Sequence, residues 1–159
     1  MATSGKNLSA YDKNVLPDAR ALRIGLVVSE WNSEITEALY SGAYEVLLDC
    51  GVSDQNIIRW NVPGSFELPF GCRKMLLREK PDAVIAIGSV IRGETAHFDF
   101  VCQATALGIK DLNIQQEIPV IFCVLTDDTI AQSRDRSGGR HGNKGAEAAI
   151  AAIKMAVLG

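Results

Sequence analysis

Ala83-Val84-Ile85-Ala86-Ile87, then Gly88-Ser89-Val90-Ile91-Arg92-Gly93-Glu94-Thr95-Ala96-His97, then Phe98-Asp99-Phe100-Val101, reads as a strand, a glycine-bounded loop and the start of a helix. Five unbroken apolar residues, rich in Val and Ile and bounded by Pro81 and Gly88, suit a strand buried on both faces. Beyond His97, Phe98, Val101, Thr105 and Ile109 share one helical face. The same alternation extends in both directions. Leu22–Val28 is a strand, followed by a helix through Ile35, Leu39, Ala43, Val46, Leu47 and Cys50, with Ser33 as its N-cap and Gly51 as its stop. Ile57–Val62 is a strand, followed by a helix from Phe66 to Glu79 with Pro69 in its first turn. Val120–Leu125 is the fourth strand. The last helix, Lys144 to Leu158, is almost wholly Ala, Ile, Met and Val, so it is deeply buried or packed on a partner. Four strand-and-helix units predict an α/β, three-layer sandwich: a four-stranded, mostly parallel sheet with helices on both faces.

The chain has 159 residues, 47% of them apolar, and a net charge of −3 from 16 Lys and Arg against 19 Asp and Glu. A chain of this length can bury roughly 68–70% of its unfolded surface in one core. Residues 1–20 are polar and read as a flexible N-terminal arm, leaving 21–159 as one domain. The acidic balance excludes a protein whose main task is neutralising nucleic-acid phosphates. Cys50, Cys72, Cys102 and Cys123 form no CxxC or Cys/His cluster, so they read as small buried hydrophobes in a reducing compartment rather than metal ligands. No apolar run reaches the length of a membrane span. The expectation is a cytoplasmic protein with no membrane partner.

In open parallel sheets ligands bind at the carboxyl ends of the strands. Four loops lie there: 29–33, 63–67, 88–97 and 126–129. The loop 88–97 leads into a helix whose first N–H groups, with the Thr95 hydroxyl, make an anion cradle; alone it also fits an ordinary tight turn. His97 stands at that helix start, where the positive end of the dipole favours a neutral ring able to take up and return protons. Arg134-Asp135-Arg136-Ser137-Gly138-Gly139-Arg140-His141-Gly142-Asn143-Lys144-Gly145 could close over a phosphate, or simply join two helices. Trp31 and Asn32 after the first strand, with Phe66 and Glu67 after the second, offer an aromatic face and polar groups to a flat heterocycle; both aromatics could equally be core.

Ser29-Glu30-Trp31-Asn32, Val62-Pro63-Gly64-Ser65-Phe66-Glu67-Leu68-Pro69, Gly88 through Asp99, and Gly142-Asn143-Lys144-Gly145 together resemble the 6,7-dimethyl-8-ribityllumazine synthase family, over about Arg20 to Leu158. The resemblance implies a flavodoxin-like fold and the penultimate step of riboflavin synthesis. In that step 5-amino-6-(D-ribitylamino)uracil condenses with 3,4-dihydroxy-2-butanone 4-phosphate, without cofactor or metal. It implies His97 as the proton carrier and Trp31 as the ring-stacking residue. Asn32, Ser65, Phe66, Glu67, Ser89, Val90, Ile91 and Phe122 would line the ribitylaminouracil site. Glu94, Thr95, Arg136 and Lys144 would hold the butanone phosphate. The family often has Phe at the position of Trp31 and a small residue at that of Glu94. The resemblance further implies a homopentamer with Phe122 reaching into the neighbouring subunit's site. The compact turn between Arg136 and Lys144 is similar to that of members that assemble twelve pentamers into a sixty-subunit shell. Riboflavin synthase is the further partner it implies.

Three other readings compete. A riboflavin-holding module has no use for His97 beside Arg136, and a pure scaffold could lose all four loops. An archaeal-type riboflavin synthase of the same fold needs no phosphate grip.

Overall fold

The computed structural model describes residues 7–158. Four strands, β1 (Ile24–Ser29), β2 (Ile57–Val62), β3 (Ala83–Ile91) and β4 (Val120–Asp127), form one parallel sheet in the order β2-β1-β3-β4. Five helices accompany them: α1 (Ser33–Asp49), α2 (Leu68–Glu79), α3 (His97–Gln115), α4 (Ile130–Arg136) and α5 (Lys144–Ala156). The chain steps one way from β1 to β2 and the other way from β2 across β1 to β3. Right-handed crossovers therefore place α1 and α2 on opposite faces. One core layer joins Leu26, Val28, Ile85 and Ile87 to Leu39, Ala43, Ala149 and Ile153 of α1 and α5. The other joins Val27, Val84 and Ala86 to Leu68, Met75 and Ile109 of α2 and α3. Alternate residues of the central strands feed the two layers, as the strand period of two requires.

Several elements differ from the sequence reading. β3 and β4 continue past the expected ends at Ile87 and Leu125, pairing Gly88 with Val124, Ser89 with Leu125, Val90 with Thr126 and Ile91 with Asp127. Gly88 is therefore not a loop residue. It is glycine because a Cβ there would stand 2.6 Å from Ser65 Oγ and 2.9 Å from a Leu68 methyl; the requirement is close packing. The first strand is shifted to Ile24–Ser29. α1 is entered through Asn32, in the left-handed conformation at φ 57°, and not through Ser33.

The segment after β4 is more structured than a connecting turn. Thr129 and Gln132 form a reciprocal capping box that starts α4. A short antiparallel hairpin follows, β5 (Ser137–Gly139) and β6 (Gly142–Asn143). The apolar helix α5 spends its small residues inside the chain: Gly145, Ala146, Ala148, Ala149 and Ala152 are buried, and α5 packs on α1. Its C-terminal end leaves Met155, and beyond it Val157 and Leu158, exposed, and further exposed apolar surface lies on α2 and α3. Phe70 and Leu77, then Phe100, Leu107 and Ile114, form two stripes at seven-residue spacing.

Cys72 and Cys123 are buried and Cys50 and Cys102 half-buried, all four as thiols. Burial pushes the Cys123 thiol up to about 12 and raises Cys72 as well. Residues 7–20, expected as an arm, run back over the domain. The Leu8 N–H donates to the His141 carbonyl at 2.9 Å, and Ser9 Oγ accepts from the Asn143 N–H at 2.9 Å. Tyr11 and Lys13 both reach the Asp49 carboxylate, at 2.9 and 3.0 Å. Among the described residues no helix is long and apolar enough to cross a membrane.

Candidate active site

The carboxyl ends of β1 and β2 are stitched together by main chain. The Glu30 N–H donates to the Val62 carbonyl at 2.9 Å and the Trp31 N–H to the Pro63 carbonyl at 3.1 Å. Asn32 then donates its side-chain amide to the Ser89 carbonyl at 2.9 Å, fastening the same loop to β3. The left-handed backbone at Asn32, which asparagine tolerates better than most residues, turns Trp31 outwards. Trp31 is 74% exposed and Phe66 60% exposed, so neither is a core aromatic. An open cleft of about 420 Å³ lies between Glu30, Trp31, Asn32, Ser33 and Pro63. A Cβ at Gly64 would lie 3.4 Å from the Trp31 ring and 3.1 Å from a Glu67 carboxylate oxygen. Gly64 thus leaves room between the Trp31 ring and the Glu67 carboxylate.

Ser65, Phe66 and Glu67 form a 3-10 turn that leads into α2. The buried Thr105 of α3 shares its one hydroxyl proton between the Val101 carbonyl, at 2.7 Å, and the Ser65 carbonyl, at 3.1 Å. The contact with Ser65 seats the helix beginning at His97 on the turn carrying Phe66 and Glu67. The side chains of Ser65 and Ser89 are themselves buried, so what these two can present is chiefly backbone. Val90 and Ile91, half-buried at the end of β3, continue the same edge.

Past Ile91 the chain makes the turn Arg92–Ala96, in which Glu94, Thr95 and then His97 are exposed. The His97 N–H points to Thr95 Oγ1 at 3.4 Å. Glu94 makes no ion pair among the described residues. Arg92 is different, and its part was not read from the sequence. It donates to Asp128 at 2.7 Å and to Asp99 at 3.1 Å, and lies 4.1 Å above the Phe98 ring. Hydrogen bonding to Asp128 first, and to Asp99, raises its already high pKa. The available signal was a loop arginine with an acid seven residues on and a second acid pair following β4.

Register brings the other half of the site alongside. Ile91 pairs with Asp127, whose carbonyl accepts the Arg92 N–H at 3.0 Å. The Asp127 carboxylate accepts from Ser133 Oγ at 2.8 Å and stands 3.8 Å from Arg136 Nε. A single residue at the exit of β4 therefore touches both the His97 turn and the half-buried Arg136. Arg134 is committed elsewhere, to Glu34 at 2.7 and 3.0 Å, and holds that carboxyl below its usual range.

Two expected residues are not drawn into this cluster. Lys144 Nζ donates to Glu147 at 2.7 Å. Phe122, opposite Ala86, sits mid-way along the edge strand β4, well before the carboxyl ends, and is 38% exposed.

The arrangement offers an open cleft beside an exposed indole, an exposed imidazole on a helix start, and a half-buried cation by the end of β4. A family model described as 6,7-dimethyl-8-ribityllumazine synthase matches residues 21–159. The chain is 67% identical to the protein of that name from Flavobacterium johnsoniae, covering 99% of this chain and 83% of the relative. It is 65% identical to that of Christiangramia forsetii, covering 99% and 95%, and 54% identical to that of Parabacteroides distasonis, covering 98% and 97%. With a family model over residues 21–159 and relatives this similar over nearly all of this chain, the chain belongs to the 6,7-dimethyl-8-ribityllumazine synthase family.

Proposed function

We propose that this chain is a transferase that condenses 5-amino-6-(D-ribitylamino)uracil with 3,4-dihydroxy-2-butanone 4-phosphate, releasing phosphate and water, in the penultimate step of riboflavin synthesis. The observation that carries this reading is the double contact of Asp127, which sets the His97 turn and Arg136 at one sheet corner. Amine attack on the ketone, phosphate elimination and ring closure all move protons, and an imidazole can serve each as acid or base. In this reading Trp31 stacks on the pyrimidine, and Asn32, Ser65, Phe66, Glu67, Ser89, Val90 and Ile91 hold the ring and ribityl chain. Thr95 with the α3 N–H groups, Glu94 through its backbone, and Arg136 grip the phosphate. Lys144 acts only after leaving Glu147. The activity resides in residues 21–159, and the four thiols fit a cytoplasmic setting.

The site is completed between subunits. Phe122 lies outside its own chain's cleft on an edge strand, which suits a residue that reaches into the neighbour's. The stripes of Phe70, Leu77, Phe100, Leu107 and Ile114 are contiguous apolar surface of the kind that marks a partner interface. The assembly is a homopentamer, grouped in twelves into a sixty-subunit shell that associates with riboflavin synthase.

Mixing the protein with both substrates and following the absorbance of the lumazine product tests the reaction. Product formation that is lost on Arg136→Ala supports both the reaction and the phosphate grip. Absence of product from folded, assembled protein would refute the reading.

A further inference from the structure

We infer that Arg92 is the positioning residue for His97: it clamps the first turn of α3 to the exit of β4 and thereby fixes where the imidazole stands. The inference rests on His97 as the proton carrier. An α-helix start ordinarily gains its hold from a side chain that caps its N–H groups. α3 has none, since its N-cap is Ala96. The residues from Arg92 to His97 are exposed, and around Gly93 there is open space where a side chain would be. Among the described residues the contact within the turn, from the His97 N–H to Thr95 Oγ1, is long at 3.4 Å, and the Ala96 carbonyl takes only the ordinary helical N–H groups of Asp99 and Phe100.

What holds this helix start lies on either side of the turn. The Arg92 N–H donates to the Asp127 carbonyl at 3.0 Å. Its Nε donates to Asp128 at 2.7 Å, its two terminal nitrogens reach Asp99 at 3.1 and 3.4 Å, and its guanidinium carbon lies 4.1 Å from the Phe98 ring centroid. Phe98 and Asp99 follow His97 directly in the first turn of α3. One planar group is thus fixed by two carboxylates and a ring face, a set of contacts that fits a guanidinium and not an ammonium. These carboxylates are largely exposed, and exposed ion pairs contribute little stability. The product of the clamp is geometry. Its loss should appear in turnover, with little change in melting temperature.

The test measures kcat, both KM values, melting temperature and hydrogen exchange at residues 97–100 in Arg92→Ala, Arg92→Lys and Asp128→Asn, alone and combined with His97→Ala. Arg92→Ala should lower kcat by about 10- to 100-fold, the scale of a reacting group displaced by an ångström. Both KM values should stay within about twofold. Exchange at 97–100 should rise, and Arg92→Lys should restore only part of the rate. In the His97→Ala background the Arg92→Ala loss should vanish. A full multiplicative loss in that background would overturn the inference, as would a KM rise confined to the phosphate substrate, which would make Arg92 a substrate contact. If His97→Ala alone leaves kcat unaltered, the role of His97 falls, and the catalytic half of the inference falls with it. The exchange data decide separately whether Arg92 holds the turn, and unchanged exchange would overturn the clamp.

Discussion

The side-chain amide of Asn32 donates to the main-chain carbonyl of Ser89 at 2.9 Å, so a residue outside β1 completes the hydrogen bonding at the end of β3. Asn32 also holds φ 57°, a conformation most L-residues avoid. Asn32→Gly keeps the conformation and loses the bond, and should cost about 0.5–1.5 kcal/mol. Asn32→Ala loses both and should cost roughly 1–2 kcal/mol more. Denaturant midpoints of the two variants measure the difference directly.

His97→Ala should lower turnover by about 10²–10⁴-fold, towards the lower end because imine formation is undemanding chemistry. Steady-state kcat against wild type checks this, and an unchanged value would remove His97 from the mechanism.

A glycine in a helix is ordinarily improved by alanine, by about 1 kcal/mol. Gly145 should show the opposite sign. A Cβ there would run into the Leu39 carbonyl where α5 meets α1, and backbone cannot swing aside as a side chain can. Gly145→Ala should therefore destabilise by about 1–3 kcal/mol. A rise in melting temperature would contradict the packing of α5 on α1.

Desolvation, and then the hydrogen bond to Asp49, raise the Tyr11 phenol from its ordinary 10.0 to about 12. Lys13 and then Tyr11 hold the Asp49 carboxyl below its ordinary 3.8. A raised phenol contributes fully below 10 and loses its contribution as pH rises towards 12. A lowered carboxyl contributes above 3.8 and loses its contribution as pH falls below it. The docking of residues 7–15 on the end of α1 should therefore hold between about pH 4 and pH 10 and weaken on both sides. Ultraviolet titration of wild type against Tyr11→Phe should show a late-ionising phenol near 12 missing from the variant.

Phe100→Glu and Leu107→Glu place charges on the exposed stripe of α3 without touching its buried face. Light scattering should then report a smaller assembly with the subunit fold retained by circular dichroism. Unchanged particle size would place the interface elsewhere.

The sheet, its helices and the loops at its edge are legible because apolar period and loop composition are local signals. What escaped depended on contacts between distant residues. Gly88 looked like a turn until Ser65 and Leu68 were seen pressed against it, and that error truncated β3 and with it β4. The composition of α5 leaves burial and a partner both open; its small residues are buried where it meets α1, while Met155, Val157 and Leu158 at its end stay exposed. The exposed stripe of α3 is hidden in the sequence because Phe98, Ile109 and Leu112 on its buried face are just as apolar. Arg92 was passed over because its partners, Asp99 and Asp128, are brought together only by the β3–β4 register. Lys144 was expected at the phosphate, yet Glu147, three residues on, takes its charge in the chain described.

The stitching of β1 to β2 from Glu30 to Val62 and from Trp31 to Pro63 uses only peptide groups, which every residue type supplies at its carbonyl and all but proline at its N–H. The backbone frame of the cleft is consequently indifferent to which side chain projects from position 31. Tryptophan can stand where the resemblance leads to an expectation of phenylalanine, and the wall of the cleft can be exchanged through mutation and selection while the frame that carries it stays in place.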